Sequence, residues 1–131
     1  MTRKYPPSVS SSNTPDGGAP EIPRRFARAV VDLPAQYALE GESDWRPGTI
    51  DELGGGGVRL QTQEDVAAGA LVSLRFDIEG TQVSATARVA MSLFDAARER
   101  FVHGVAFTAI DPAHQATIVR RVLSLQVSEK T

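Results

Sequence analysis

The sequence predicts a mainly β domain, a six-stranded antiparallel barrel with one C-terminal helix. Six short segments rich in β-branched residues alternate in polarity, and turn-forming residues separate them at regular spacing. After Asp111-Pro112 the apolar residues change to helical spacing. A barrel with the helix packed on it would cover every apolar stripe and leave no long open edge.

The six predicted strands are clearest where every second residue is apolar, so that one face would be buried. Pro34 lies inside the first of them and cannot donate to a ladder. We therefore expect that strand to lie at an edge or to bend at Pro34. The predicted strands are Ala29–Leu39, Trp45–Leu53, Val58–Thr62, Ala70–Ile78, Val83–Met91 and Phe101–Thr108.

The helix has a clear predicted start. Asp111 is a favourable N-cap residue, and Pro112 suits the first helical position. Apolar residues at helical spacing follow, so an amphipathic helix is expected from Pro112 to about Gln126. These apolar residues are Ile118, Val119, Val122, Leu123 and Leu125.

The 131 residues are enough for one domain of common size. Residues 1–22 are rich in proline, serine and glycine and poor in large apolar side chains, which predicts a disordered tail. The domain is predicted over residues 23–127, with a short C-terminal tail at 128–131.

Composition excludes several classes of protein. The net charge of −2 argues against a nucleic-acid binder. The lack of cysteine excludes disulfides and thiolate metal sites and is consistent with a cytoplasmic protein. The two histidines cannot complete a zinc site by themselves, and no apolar run is long enough for membrane insertion. We expect no metal and no cofactor.

Catalytic residues are not apparent, so no enzymatic activity is expected. His103 falls on the predicted inward face of a strand, where a structural histidine is favoured over a general base. The acidic pairs Glu40/Glu42 and Glu64/Asp65 lie in predicted turns, where solvated carboxylates are the usual outcome.

Two stretches could form a site for a small anionic ligand. Arg24, Arg25 and Arg28 precede the first strand, and guanidinium groups match phosphate oxygens in pairs. The run Gly54–Gly57 permits positive φ, close approach of another group and an anion-binding nest of N–H groups. No phosphate-loop or dinucleotide fingerprint follows. A solubilising basic cluster and a tight strand-to-strand turn explain the same residues equally well.

Taken together, the two stretches resemble the motifs of the PilZ domain family, bacterial domains that bind the second messenger cyclic di-GMP. Arg24-Arg25-Phe26-Ala27-Arg28 fits the family's RxxxR motif, including the extra arginine and the aromatic residue often found inside it. The resemblance extends from about Ile22 to Gln126. It implies a PilZ-like barrel whose ligand is cyclic di-GMP.

The second family motif, (D/N)xSxxG, is altered here. In the preferred alignment Glu52 takes the Asp/Asn position, Gly54 the serine position and Gly57 the final glycine, which keeps the following strand in register. Losing the serine hydroxyl removes one neutral hydrogen bond, worth about 0.5–1.5 kcal/mol. Replacing Gly54 by serine is therefore expected to tighten binding.

A second alignment of this motif starts at Asp51 and puts Leu53 at the serine position and Gly56 at the glycine position. The resemblance implies that Arg24 and Arg28 bind phosphate and guanine edges and that Arg25 adds a stacking or phosphate contact. By the same resemblance Glu52 would contact a guanine edge, and the backbone from Gly54 to Gly57 would let the ligand lie close.

Three functions remain open. The first is a cyclic di-GMP receptor or adaptor that changes a protein-interaction surface when the ligand binds. The second is a degenerate PilZ-like module that works through protein partners without nucleotide. The third, an oligonucleotide-binding barrel, is disfavoured by an acidic pI of 5.6 and few aromatic residues. The protein partner is unidentified, and a monomer or weak dimer is expected.

Overall fold

The computed structural model describes residues 26–130, with side chains up to Val127. Six antiparallel strands close into a barrel in the order β1-β2-β3-β6-β5-β4, and one helix follows. This confirms the predicted fold. The elements are β1 (Arg28–Leu39), β2 (Arg46–Gly54), β3 (Gly57–Thr62), β4 (Leu71–Ile78), β5 (Thr81–Asp95), β6 (Arg100–Ile110) and α1 (Pro112–Lys130).

The core lies inside the barrel and beneath α1. Buried and less buried residues alternate along β4 and the first part of β5, as expected for strands with one face inward. Ile50, Leu53 and Val105 are completely buried, and α1 adds Ile118 and Val122 to the same cluster. The helix therefore completes the core at the end of the barrel where β2 turns into β3.

The start of α1 agrees with its sequence. Asp111 Oδ1 accepts a hydrogen bond from the backbone N–H of Ala113 at 2.8 Å, which satisfies one free donor of the first turn. The helix ends at Lys130, four residues beyond the expected end at Gln126, and so includes residues 128–130 of the predicted tail. No glycine or proline follows Gln126 to stop it. Leu123, predicted as part of the apolar stripe, is half exposed.

Strand β1 changes partners at Pro34. It pairs with β2 along most of its length but with β4 only from Ala35 to Leu39, and its register with β2 shifts between Val30 and Leu33. The absent N–H of Pro34 therefore falls where the second ladder is about to begin. The expected irregularity is present, and among residues 26–130 the part of β1 before Pro34 pairs with β2 alone.

The β5–β6 hairpin is longer than predicted. Strand β5 continues to Asp95 and β6 begins at Arg100. Phe94 and Phe101 are cross-strand partners whose ring centroids lie 5.0 Å apart. Asp95 Oδ1 accepts hydrogen bonds from two backbone N–H groups of the turn, those of Ala97 and Arg98. The aromatic pair and the turn thus extend the hairpin beyond the predicted end of β5 at Met91.

Candidate functional site

The structure brings the two sequence motifs together at one end of the barrel. Arg28 is the first residue of β1 and pairs with Gly54, the last residue of β2. Its Nη1 lies 3.6 Å from Oε1 of Glu52, and each of the two side chains is about one quarter exposed, at 27% and 25%. Partly exposed ion pairs contribute little to stability, so a ligand could open this one at small cost. Arg24 and Arg25 lie outside the described residues.

Asp51 binds different residues from those that Glu52 binds. The β2–β3 register shifts between Ile50 and Glu52, which makes Asp51 the extra residue of a β-bulge. Its carboxylate accepts hydrogen bonds from Arg59 Nε at 2.6 Å and from the side-chain amide of Gln61. The hydrogen bond from Arg59 also raises the pKa of that guanidinium.

The alternative alignment on Asp51 would put Leu53 at the serine position. Leu53 is completely buried in the core, so its side chain is unavailable to a ligand. Glu52 contacts Arg28 of the first motif, whereas Asp51 contacts Arg59 of β3. The geometry therefore favours the alignment that uses Glu52, Gly54 and Gly57.

The glycine run forms a tight turn between β2 and β3, which was one of the two interpretations of its sequence. Other residues of the protein occupy the space around this turn. All four glycines are buried. A Cβ at Gly55 would lie 2.6 Å from the ring of Phe26 and 2.9 Å from Val119 of α1. A Cβ at Gly54 would lie 3.1 Å from the carbonyl oxygen of Ala27. The close approach that glycine permits here is made by Phe26, Ala27 and the helix.

Gly57, the last glycine of the motif, is required because no space exists for a side chain there, and not because of its backbone conformation. A Cβ at Gly57 would lie 2.2 Å from the carbonyl oxygen of Val105 on β6, a distance that real Cβ atoms do not reach. The described glycines with positive φ are Gly41, Gly69 and Gly80, which lie in other turns. None of the glycines from Gly54 to Gly57 has a positive φ, so this turn does not use the positive φ that glycine permits.

Helix α1 contacts both motifs through glutamine amides. Gln115 Nε2 donates to the carbonyl oxygen of Gly55 at 2.8 Å. Gln126 Nε2 donates to the carbonyl oxygen of Arg28 at 3.0 Å. Sequence reasoning did not find these residues, because a glutamine on an amphipathic helix usually faces solvent and nothing local marks its distant partner.

A polar cluster lies at the opposite end of the barrel. The buried Tyr37 donates to Glu64 Oε2 at 2.5 Å, and Arg46 Nη1 donates to both oxygens of Glu64 at 2.8 and 2.7 Å. These hydrogen bonds lower the pKa of Glu64. Burial, followed by the contact with Glu64, raises the pKa of Tyr37. The Glu64 side chain is 43% exposed, as expected for a turn carboxylate, and it also binds Tyr37 and Arg46, two contacts that the sequence did not predict.

His103 is completely buried, in agreement with its predicted inward position. Its Nε2 lies 2.8 Å from Thr62 Oγ1, and that hydroxyl donates its proton to the carbonyl oxygen of Glu64. Nε2 must therefore carry the hydrogen, and the buried Nδ1, which has no hydrogen-bond partner among residues 26–130, is unprotonated. Burial lowers the pKa of His103, so the ring is neutral at pH 7.

Within the described part of the chain, no group of three or more histidine or acidic side chains could hold a metal ion. No helix formed by residues 26–130 is both long and apolar enough to cross a membrane. The arginine–glutamate pair and the filled glycine turn thus remain the features for comparison with known proteins.

The family model for the PilZ domain matches residues 23–124, which include both motifs, all six strands and most of α1. The chain belongs to the PilZ domain family. PilZ domains are binding domains, and the family includes receptors for cyclic di-GMP. No curated protein matches the chain significantly.

Solved PilZ structures share the barrel and helix. A PilZ domain of YcgR from Escherichia coli with cyclic di-GMP has a TM-score of 0.61 and 14% identity, over 82% of this chain and 94% of that one. A tetrameric PilZ domain from Xanthomonas campestris, self-assembled through a helical bundle, has a TM-score of 0.64 and 11% identity, over 84% and 92%. At these identities the likeness is one of fold.

The Bacillus subtilis inhibitor of motility MotI/DgrA gives a TM-score of 0.73 at 15% identity. The match covers 83% of this chain but 54% of that protein, so this PilZ domain spans about half the length of the motility inhibitor. The shared part is the barrel with its helix, in the same fold as the other two structures.

Proposed function

We propose that this PilZ domain is a cyclic di-GMP receptor or adaptor that changes a protein-interaction surface when the ligand binds. The observation that supports this most is the 3.6 Å contact between Arg28 and Glu52, which places the first motif against the second. A phosphate-binding cation and a hydrogen-bond-accepting carboxylate then lie side by side at the surface.

The chemistry of the pair suits the two parts of the ligand. Guanidinium groups bind phosphate oxygens in pairs, and a carboxylate accepts the N–H donors on the edge of guanine. In this structure Arg28 and Glu52 form an ion pair with each other. The ligand would replace this weak ion pair by two charge-assisted contacts, while Arg24 and Arg25 supply further phosphate contacts.

The residues next to the arginines support the adaptor role. Phe26 lies between Arg25 and Arg28 in sequence and packs over Gly55, which Val119 of α1 also approaches. A ligand that draws the arginine segment toward itself would change the surface formed by Phe26, the turn and α1, which shifts the population of that surface. A protein partner would recognise this surface. No catalytic step is proposed, and the setting we propose is the bacterial cytoplasm.

The second candidate is a degenerate PilZ module that binds protein partners without nucleotide. The observation in its favour is the second motif itself. Gly54 has no hydroxyl, and the space above it is occupied by the Ala27 carbonyl group and the Arg28 side chain, 3.1 and 3.2 Å from a Cβ there. The ligand would have to displace the Arg28 side chain as well as bind.

Titration calorimetry with cyclic di-GMP separates these candidates. We expect wild-type protein to bind and Arg28→Ala to bind at least about tenfold more weakly, because a charge-assisted contact is lost. Arg75→Ala is the matched control, since Arg75 contacts Gln36 and Trp45, which belong to neither motif.

Absence of heat from wild-type protein at ligand concentrations on the order of tens of micromolar would exclude the receptor and leave the degenerate module. Equal affinity of Arg28→Ala and wild type would instead remove Arg28 from the site. In that case the receptor proposal would survive with other residues.

A further inference from the structure

Two glutamines of α1 hold backbone groups of both motifs, and each contact is partly buried. Gln126 donates to the carbonyl oxygen of Arg28, the residue that carries the candidate phosphate-binding group. Gln115 donates to the carbonyl oxygen of Gly55, in the turn that ends the second motif. The two contacts join segments that are 98 and 60 residues away from the glutamines in sequence.

The two glutamines belong to one stripe of the helix. They are three helical turns apart, about 16 Å along the axis, and Val119 and Val122 lie between them on the same side. Val122 is 1% exposed in the core, and Val119 lies against Gly55. The apolar centre of the stripe fixes the helix, and its two polar ends reach the two motifs.

The geometry points to Gln115 and Gln126 as positioning residues of the nucleotide site, an inference that rests on the proposed function. Gln126 holds the backbone at the start of β1 and so fixes the position from which the Arg28 side chain extends. Gln115 fixes the turn that follows Glu52. Together they hold the two halves of the site at a fixed separation before the ligand binds. This lowers the entropy cost of ordering the site during binding.

The role is one of positioning because the two amides contact motif backbone and no ligand-facing group. Main-chain carbonyl oxygens that lose a partner leave the strand start and the turn free to shift by small distances. Shifts of that size change the separation of Arg28 and Glu52, now 3.6 Å, while the core packing of Ile118 and Val122 is retained.

The test compares Gln115→Met and Gln126→Met with Gln82→Met, which makes the same chemical change at an exposed position of β5. Methionine keeps the length of the side chain and removes the donor. We expect each helix variant to raise the Kd for cyclic di-GMP about three- to tenfold, with Gln82→Met equal to wild type. A lower Tm with an unchanged Kd in both helix variants would overturn the inference.

A second readout does not need the ligand. Amide hydrogen exchange is expected to be faster at residues 28–30 in Gln126→Met and at residues 55–57 in Gln115→Met than in Gln82→Met. If wild-type protein shows no nucleotide binding, the proposed function fails, and this exchange pattern alone decides whether the helix positions the two segments. Exchange rates equal to those of the control would reject the positioning role.

Discussion

Gly54 shows how one position combines two opposing effects. The family motif has a hydroxyl here, so serine should restore a hydrogen bond to the ligand. A Cβ at Gly54 is nevertheless tight, 3.1 Å from the carbonyl oxygen of Ala27 and 3.2 Å from Cγ of Arg28. The simple expectation that Gly54→Ser tightens binding therefore has to be separated from crowding of the arginine.

Gly54→Ala and Gly54→Ser make that separation. Both variants introduce the Cβ, and only serine adds the hydroxyl. We expect alanine to lower the affinity for cyclic di-GMP relative to wild type, and serine to bind about three- to tenfold more tightly than alanine. Calorimetry on the three proteins measures both effects. Identical affinities for serine and alanine would mean that Gly54 does not occupy the serine position of the motif.

His103 makes the stability of the fold depend on pH. Burial lowers its folded-state pKa below the ordinary unfolded value near 6.5. The unfolded chain therefore binds more protons just below pH 6.5, and stability falls as pH decreases through that range, by at most about 1.4 kcal/mol per pH unit for one group. The lowered pKa of Glu64 acts mainly below the ordinary value of 4.5 for a glutamate, beneath most of this window.

Urea unfolding at pH 5 to 7.5 tests this account. Wild-type protein should lose stability toward pH 5, and His103→Gln, which keeps an amide donor for Thr62 and cannot titrate, should lose less. If the free energy of unfolding changes with pH equally in the two proteins, a group other than His103 causes the pH dependence.

At the scale of elements, the sequence could predict what depends on local pattern. Alternation located the strands, and Asp111-Pro112 located the start of α1 to the residue. Pro34 indicated the irregularity of β1, because its missing N–H acts on the strand that contains it. The two motifs also led to the expectation that both stretches form one site, and Arg28 and Glu52 lie 3.6 Å apart, although a contact between these two residues was not predicted.

The features that the sequence could not predict depend on partners distant in the chain. Glu64 looked like a turn carboxylate, because its contacts with Tyr37 and Arg46 arise only when the barrel closes. The glycine run looked open, because Phe26 and Val119 reach it from two other segments. The length of the β5–β6 hairpin was likewise hidden, since it depends on cross-strand pairing rather than on alternation.

At the scale of the whole molecule, the barrel separates two polar regions. Arg28 and Tyr37 are nine residues apart on β1, roughly 30 Å of extended strand. The arginine end carries a weak, partly exposed ion pair next to the helix. The tyrosine end carries a network in which Glu64 is held by two donors. This division suggests that stability and ligand affinity are set at opposite ends.

Tyr37→Phe tests the division. Removing the hydroxyl takes one donor from Glu64 and should lower the free energy of unfolding by about 1 kcal/mol, because the packing of the ring is kept. The Kd for cyclic di-GMP should stay at the wild-type value, since substitutions this far apart without shared partners act independently. Arg28→Ala should show the opposite pattern, weaker binding at nearly unchanged stability. A Tyr37→Phe protein with weakened binding would show instead that the barrel transmits changes from one end to the other.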